Sequence, residues 1–308
     1  MEAVKDLVRS RLSSSVQLLQ EVNDSLLEHS GKMMRPCLCL LMARACGVPN
    51  DDTRRYAAAV ELLHNSTLLH DDVADDSDMR RGVPTVKSWL GAVPAVLVGD
   101  WWLARSINMV LDSTHSTWAV PAFSKTLADL AEGEMLQQQK AFSCDTTEDD
   151  YLQIIYGKTA SLFELSCSCA AVSVDAPQAL LQAAQAYGKA LGIAFQIKDD
   201  ILDYAGVDIG KPCGHDLLER KITLPMLGAF RGSEDEAAVR ALVRGLPENP
   251  DDCKKLAAFV CEHGGITYAQ EVLHRYICEA IDALSALPAS REKALLEEFA
   301  RLNEIREK

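Results

Sequence analysis

Two stretches of the chain set three aspartates on the same stride: Asp71-Asp72-Val-Ala-Asp75 and Asp199-Asp200-Ile-Leu-Asp203. Adjacent aspartates occur at 51–52, 71–72, 75–76, 149–150, 199–200 and 251–252, and such pairs in an acidic protein are ordinarily solvated surface. Only two of them carry a third aspartate four residues after the first; the others have Arg55, Met79, Gln153 and Lys255 there. On a helix that spacing stacks Asp71 over Asp75 and Asp199 over Asp203, and like charges so placed destabilise the helix without a counter-ion. Apolar residues, Leu68-Leu69 and Ile193-Ala194-Phe195, precede the motifs, which suggests the edge of a cleft. Hard divalent ions take oxygen ligands, and magnesium commonly bridges one or two carboxylates to a substrate phosphate. Asp71, Asp72, Asp75, Asp199, Asp200 and Asp203 are therefore candidate metal ligands, and the chemistry they suit is that of a phosphorylated substrate.

Bases follow each motif. Arg80-Arg81-Gly82 comes shortly after Asp75, and Lys211 and Lys221 follow Asp203. Guanidinium pairs match phosphate oxygens geometrically, although Arg80 and Arg81 could equally balance Asp76 and Asp78. Lys32 and Arg35, in SGKMMRP, open a helix near Pro36 whose first N–H groups also favour anions. The net charge of −14, from 45 acids against 31 bases, repels a nucleic-acid backbone and excludes that partner. An anionic substrate meets the same repulsion, which bound metal would relieve.

The elements that must position these residues read as helices. Apolar residues recur at three-and-four spacing through 56–70, 122–140, 151–173, 178–204, 253–262 and 266–287. Most prolines fall between or at the ends of these stretches, and no run alternates with the period of a half-buried strand. The expectation is an all-α chain, one domain over 1–308, built as a bundle of roughly ten helices with a short one inside 231–250. The apolar run at 93–103 is cut by Pro94, Gly99 and Asp100, so no membrane span is expected, and the first residues do not read as a signal peptide. Ten cysteines without any C-x-x-C argue against zinc and for free thiols, hence a cytoplasmic setting.

At this point the chain strongly resembles the trans-isoprenyl diphosphate synthases, the polyprenyl synthetase family, and most closely its long-chain, octaprenyl-type members. The resemblance rests on seven segments in register: GKMMRP (31–36), ELLHNSTLLHDDVADDSDMRRGVPT (61–85), VLVGD (96–100), AEGEMLQ (131–137), YGKTASLF (156–163), GIAFQIKDDILDYAG (192–206) and GKPCGHDLLERKITLPML (210–227). It implies an all-α bundle around a deep central cleft, usually a homodimer, in which three magnesium ions bridge an allylic diphosphate to both aspartate motifs. Carried over, Arg80, Lys158, Thr159, Gln196, Lys211 and Lys221 would grip the allylic diphosphate, and Lys32, Arg35, His64 and Arg81 would hold isopentenyl diphosphate. The implied reaction ionises the allylic carbon–oxygen bond and joins the cation to isopentenyl diphosphate head-to-tail, with no protein nucleophile. Ser30 and Met33 depart from the family's first basic patch, and Arg220 stands where a glycine is common.

The resemblance also frames product length, since members differ in where the apolar tunnel below the first motif is blocked. Thr67 and Ser66, four and five residues before Asp71, are small, and Leu63 lies roughly 12 Å up the helix. Phe123, Leu127 and Leu130 are candidates for the floor, although ordinary core packing would also explain all of them. The expected product is of geranylgeranyl length or longer, the alternative a geranylgeranyl or farnesyl diphosphate synthase. A non-catalytic partner of a heteromeric synthase would typically have lost a motif, and a terpene cyclase would lack the Lys32, Arg35, His64 and Arg81 set. No stable membrane anchor is expected, only transient contact for product release.

Overall fold

The computed structural model describes residues 1–29, 31–204 and 215–306, with helices almost throughout. In chain order these are α1 (Glu2–Arg11), α2 (Gln17–Glu28), α3 (Met34–Cys46) and α4 (Asp51–Ala74), then strands β1 (Met79–Arg80) and β2 (Val83–Pro84). There follow α5 (Val86–Leu90), α6 (Ala92–Leu111), α7 (Ser116–Ser143), α8 (Glu148–Ile155), a π-helical turn (Tyr156–Ala160), α9 (Ser161–Ser173) and α10 (Gln178–Tyr204). The remainder is α11 (His215–Leu218), α12 (Leu224–Arg231), α13 (Glu236–Gly245), α14 (Asp252–Glu262), α15 (Gly265–Ala283) and α16 (Arg291–Ile305). The all-α reading is correct, and the periodicity at 178–204 coincides with α10. The helix expected inside 231–250 is α13. The small β ribbon is an addition, and α1, α2, α5, α6, α11, α12 and α16 emerge beyond the periodic stretches, so the described residues hold sixteen α-helices rather than roughly ten.

The described residues form two compact units: Met1–Ser124 with Leu165–Ala184 and Ala286–Lys293, and Lys125–Glu164 with Gln185–Ser285 and Ala294–Lys308. In the first, α4 is the central element, packed by α1, α3, α5 and α6. Its start is fixed by a capping box in which Asn50 Oδ1 accepts from the Thr53 N–H at 3.0 Å. Residues 56–63 are buried on every side, and the alanines at 57–59 let a neighbouring backbone approach closely. The Ser106 hydroxyl of α6 donates to the Ala59 carbonyl at 2.8 Å. In the second unit α12 packs on α14 and α15. A Cβ on Gly265 would lie only 2.0 Å from the Pro225 carbonyl oxygen, so glycine is what permits that approach.

One buried polar side chain ties the N-terminal helices together. Asn23 is fully buried; its amide donates to the Leu12 carbonyl that ends α1, and its oxygen accepts from the Trp102 indole of α6, both at 2.8 Å. Cutting it back orphans a carbonyl and an indole N–H at once. Asn23→Ala should cost about 2–4 kcal/mol of stability, read as a lowered thermal midpoint; a shift of a few tenths would contradict the clamp.

Candidate active site

Both aspartate motifs lie at the C-terminal ends of long helices. Asp71 and Asp72 are in the last turn of α4 and Asp75 is its C-cap, with the Asp75 N–H on the Asp71 carbonyl at 2.8 Å. Asp199, Asp200 and Asp203 occupy the end of α10. Neither last turn holds a base. A helix C-terminus already carries roughly half a negative charge, so these carboxylates are doubly opposed, by each other and by the dipole. The pairs at 51–52, 149–150 and 251–252 instead sit at the starts of α4, α8 and α14, where the dipole welcomes them.

Within the first unit the structure places Lys32, Arg35, Leu63, His64, Ser66, Thr67, Asp71, Asp72, Asp75, Arg80 and Arg81. Lys32 is exposed just ahead of α3, and Arg35 is in that helix's first turn, as the sequence suggested. Met33, one of the departures, adopts a left-handed φ of 48° at the N-cap. β1 and β2 form a hairpin pairing Met79 with Pro84 and Arg80 with Val83. Its two-residue loop is Arg81-Gly82, at φ 53° and 81°, the combination of a type I′ turn. The hairpin returns Arg80 to α4, where its Nε donates to Asp72 Oδ1 at 2.6 Å. Burial raises the Asp72 pKa, and Arg80 works against that rise. Burial first, then the charges of Arg35, Arg81 and Arg80, hold His64 well below its ordinary pKa. A neutral imidazole among three guanidiniums hydrogen-bonds an anion rather than adding charge. Glu61, one turn earlier and 5% exposed, has its pKa raised by burial and accepts from the Asn65 amide at 3.1 Å. Leu63 and Ser66 are buried and Thr67 half-buried, and both hydroxyls are satisfied within the helix, on the Leu63 and His64 carbonyls at 2.8 Å.

Within the second unit lie Lys158, Thr159, Gln196, Asp199, Asp200, Asp203 and Lys221; Lys211 and Ser30 fall outside the described residues. A chain of hydrogen bonds runs from the Thr159 hydroxyl to Gln196 Oε1 (2.7 Å) and from Gln196 Nε2 to Asp200 Oδ1 (2.8 Å). The Tyr151 hydroxyl donates to the other oxygen of Asp200 at 2.7 Å. Lys158 and Thr159 belong to the π-helical turn, a wider winding that often marks functional positions. Its closeness to α7 depends on two glycines: a Cβ on Gly157 would lie 2.6 Å from the Asp129 carbonyl oxygen, and one on Gly133 2.9 Å from the Lys158 nitrogen. Next to Gly133, Glu134 takes the Lys158 ammonium at 2.5 Å. Burial opposes ionisation of Glu134, but the charge of Lys158 prevails and lowers its pKa.

The sequence reading missed Asp216, Tyr151, Glu134 and Arg306. The Asp216 N–H donates to Asp203 Oδ2 at 3.2 Å, and its side chain lines a cavity of about 140 Å³ with Lys158, Gln196, Asp200 and Lys221. Burial pushes the Asp216 pKa up to about 6, helped by Asp203, and burial with the Asp216 charge raises that of Asp200. Arg306 sets its guanidinium 2.7 Å from Asp199 and 4.0 Å over the Phe195 ring, a cation already drawn to this helix end. Asp216 had a sequence signal, the HDLLERK segment, but no spacing marked it as acid-site chemistry. Arg220, the departure beside Lys221, sits at φ 59°, the backbone region that glycine occupies without strain.

These residues fit a divalent cation. The donors are crowded carboxylate oxygens, and burial, with neighbouring acid charge, raises the pKa of Asp72 and Asp200 among them and of Asp216 beside them. Among the described residues no three acidic, histidine or cysteine side chains converge to hold an ion unaided. Magnesium asks no more than one or two carboxylates, the substrate's phosphates completing its shell. Eight cysteines among the described residues are free thiols, while Cys253 is disulfide-bonded, a departure from the all-thiol expectation. No described helix is long and apolar enough to cross a membrane.

The polyprenyl synthetase family profile matches residues 16–260. The chain is 38% identical over 305 residues to the geranyl-diphosphate-specific all-trans-nonaprenyl-diphosphate synthase of Rhodobacter capsulatus, covering 97% of this chain and 93% of that one. Among solved structures, a decaprenyl diphosphate synthase from Rhodobacter capsulatus superposes with a TM-score of 0.93 at 37% identity, over 100% of this chain and 96% of the other. A polyprenyl synthase from Caulobacter crescentus, solved with calcium and isoprenyl diphosphate, gives 0.90 at 33%, over 100% and 95%. The chain belongs to the polyprenyl synthetase family. It is a trans-prenyltransferase of the isoprenoid synthase fold, and magnesium dependence goes with that membership.

The raised carboxyls make a pH prediction. Between about pH 4, where a free aspartate ionises, and about 6, the folded protein keeps protons that the unfolded chain has released. Metal-free stability should therefore fall as pH rises through that window. Asp216→Asn should flatten the fall in a thermal series run in EDTA; an unchanged slope would remove Asp216 from the coupled pair.

Proposed function

We propose that this chain condenses isopentenyl diphosphate head-to-tail onto an allylic primer such as farnesyl diphosphate, making an all-trans polyprenyl diphosphate of geranylgeranyl length or longer and releasing diphosphate. The observation that carries it is the pair of aspartate motifs at base-free helix ends, each with cations on neighbouring elements, in a member of this family. Asp71, Asp72, Asp75, Asp199, Asp200 and Asp203 would hold three magnesium ions. Bound there, magnesium would neutralise charge developing on the leaving diphosphate. Lys158, Lys221, Arg80 and the Thr159–Gln196 pair, with Lys211, orient the allylic diphosphate so that its carbon–oxygen bond ionises toward these cations. Lys32, Arg35, neutral His64 and Arg81 hold isopentenyl diphosphate, whose double bond then meets a positioned allylic carbon. Exclusion of water protects that cation, and the diphosphate released is the base for the final proton.

Small residues at Ser66 and Thr67, both satisfied internally, support a passage for a long chain, and the relatives carry long-chain names that differ in length. A homodimer accords with the exposed apolar face of α6, where Val93 and Leu97 are 71% and 61% accessible. We take the working protein to be a single catalytic domain, and eight free thiols among the described residues accord with the cytoplasm, against which the bonded Cys253 stands. The reading of a silent partner subunit is weakened by two complete motifs.

The test is a product assay with magnesium, labelled isopentenyl diphosphate and, separately, geranyl, farnesyl and geranylgeranyl diphosphate. The expected result is a ladder ending beyond geranylgeranyl length; a sharp stop at farnesyl or geranylgeranyl would overturn the chain-length assignment, and no elongation from any primer would favour the silent partner. Asp71→Ala and Asp199→Ala should each lower turnover by about a thousandfold or more with the fold intact. Ser66→Phe should shorten the product to farnesyl or geranylgeranyl length, and an unshifted ladder would place the passage elsewhere.

A further inference from the structure

Away from the acidic site, three side chains of the second unit meet in the order nucleophile, base, carboxylate. His274 and Cys278 stand four apart on α15 and so share a face, and Glu304 comes from α16. Cys278 Sγ is 3.5 Å from His274 Nε2, and His274 Nδ1 is 2.5 Å from Glu304 Oε1. An ionised carboxylate only accepts, so the Nδ1 proton points at Glu304 and, in the neutral ring, Nε2 turns its lone pair to the thiol. The thiol donates, and its proton has a place to go. A base within reach of a nucleophile, itself oriented by a third group, is the arrangement of an activated nucleophile. It does not suit a metal, because sulfur and carboxylate take opposite nitrogens of one ring and cannot converge on a single ion. Arg275 and Asp282, three before and four after Cys278, flank it with opposite charges, so the imidazole is what distinguishes this sulfur. Cys278 is exposed and the His274 side chain is 66% accessible, which opens the sulfur to a reagent from solvent.

We propose that Cys278 is a reversible modification site, a thiol that exchanges with small-molecule disulfides, with His274 as its base and Glu304 as the residue that positions the base. His274 takes the S–H proton as the sulfur attacks one sulfur of the disulfide. A bond forms between the two sulfurs, the old sulfur–sulfur bond breaks, and the departing thiolate recovers the proton from the imidazolium. Cys278 is oxidised into a mixed disulfide while the other half of the reagent leaves reduced, as a thiol, so no further oxidant enters. The step asks only for an accessible nucleophile and a base, whereas acyl transfer would also demand donors for an oxyanion. None of the three residues belongs to the proposed substrate or metal sets, so the inference stands apart from the prenyl-transfer reading. Cys261, exposed in the last turn of α14, serves as the comparison.

Site-resolved alkylation with iodoacetamide at pH 7, read by mass spectrometry, tests the activation. An ordinary thiol is about 3% ionised there, which leaves a ceiling of about thirtyfold. Cys278 should react about fivefold or more faster than Cys261, and His274→Gln should remove that advantage. Glu304→Ala should slow Cys278 by about threefold or more. Lys198→Ala takes away a different tie to Glu304, the ammonium on its carbonyl at 2.8 Å, and should leave the rate unchanged. An equal loss in Lys198→Ala would mean a loosened helix rather than an oriented base, and would overturn the role of Glu304. Oxidised glutathione should then modify Cys278 before Cys261, in an adduct that dithiothreitol removes and Cys278→Ser prevents. Equal alkylation of Cys278 and Cys261, a wild-type rate in His274→Gln, or adducts appearing equally on both cysteines would overturn the proposal. Cys278, His274 and Glu304 all reach solvent, so none of these substitutions empties the core.

Discussion

Everything in this fold answers to one electrostatic constraint: six carboxylates are held at helix ends that already repel them. α4 and α10 both finish in aspartates with no base in the last turn. In a protein of net charge −14 nothing in the overall field relieves that strain. It persists because the surroundings fix the helices independently, α4 through its capping box and its alanine-lined core and α10 through a long buried face. On the proposed function the repulsion is stored for a cation that arrives with the substrate, and catalysis and folding draw on the same charges in opposite directions.

The remaining machinery brings positive charge to these ends, where Arg80 pairs with Asp72 and Arg306 with Asp199. A hairpin with a type I′ turn returns Arg80 to Asp72 and leaves Arg81 outward. On the other unit a π-helical turn, admitted by Gly133 and Gly157, presents Lys158 against Glu134. In both places the backbone is unusual where a candidate site cation stands, and the unusual backbone is what sets it. His64 is held well below its ordinary pKa first by burial and then by the charges of Arg35, Arg81 and Arg80.

Much of this was legible in the sequence. The three-aspartate stride separated two motifs from four decoy pairs, and the structure shows why the separation works, because three of the decoys are helix starts. Helix periodicity placed α4 and α10 well. The hairpin was invisible, since two-residue strands leave no alternation to read and its Arg81-Gly82 turn lacks the Asn-Gly or Asp-Gly pair that usually marks one. The π-helical turn and the Glu134–Lys158 pair have no period of their own. Asp216 was missed because it reaches the second motif through folding, not through spacing. Arg220 and Met33, marked as departures from the family, prove to be left-handed positions, so the family's glycine at the first has a backbone reason.

The central claim is that the two acidic helix ends bind an anion only through a divalent cation. The direct measurement is calorimetric titration with methylenediphosphonate, a tail-less and non-hydrolysable diphosphate mimic, with and without magnesium. The account predicts that magnesium tightens binding of the mimic by about a hundredfold or more, and that the mimic tightens binding of magnesium by the same factor, as linkage requires. Equal affinity for the mimic in EDTA and in magnesium would show that the bases alone suffice, and would contradict it.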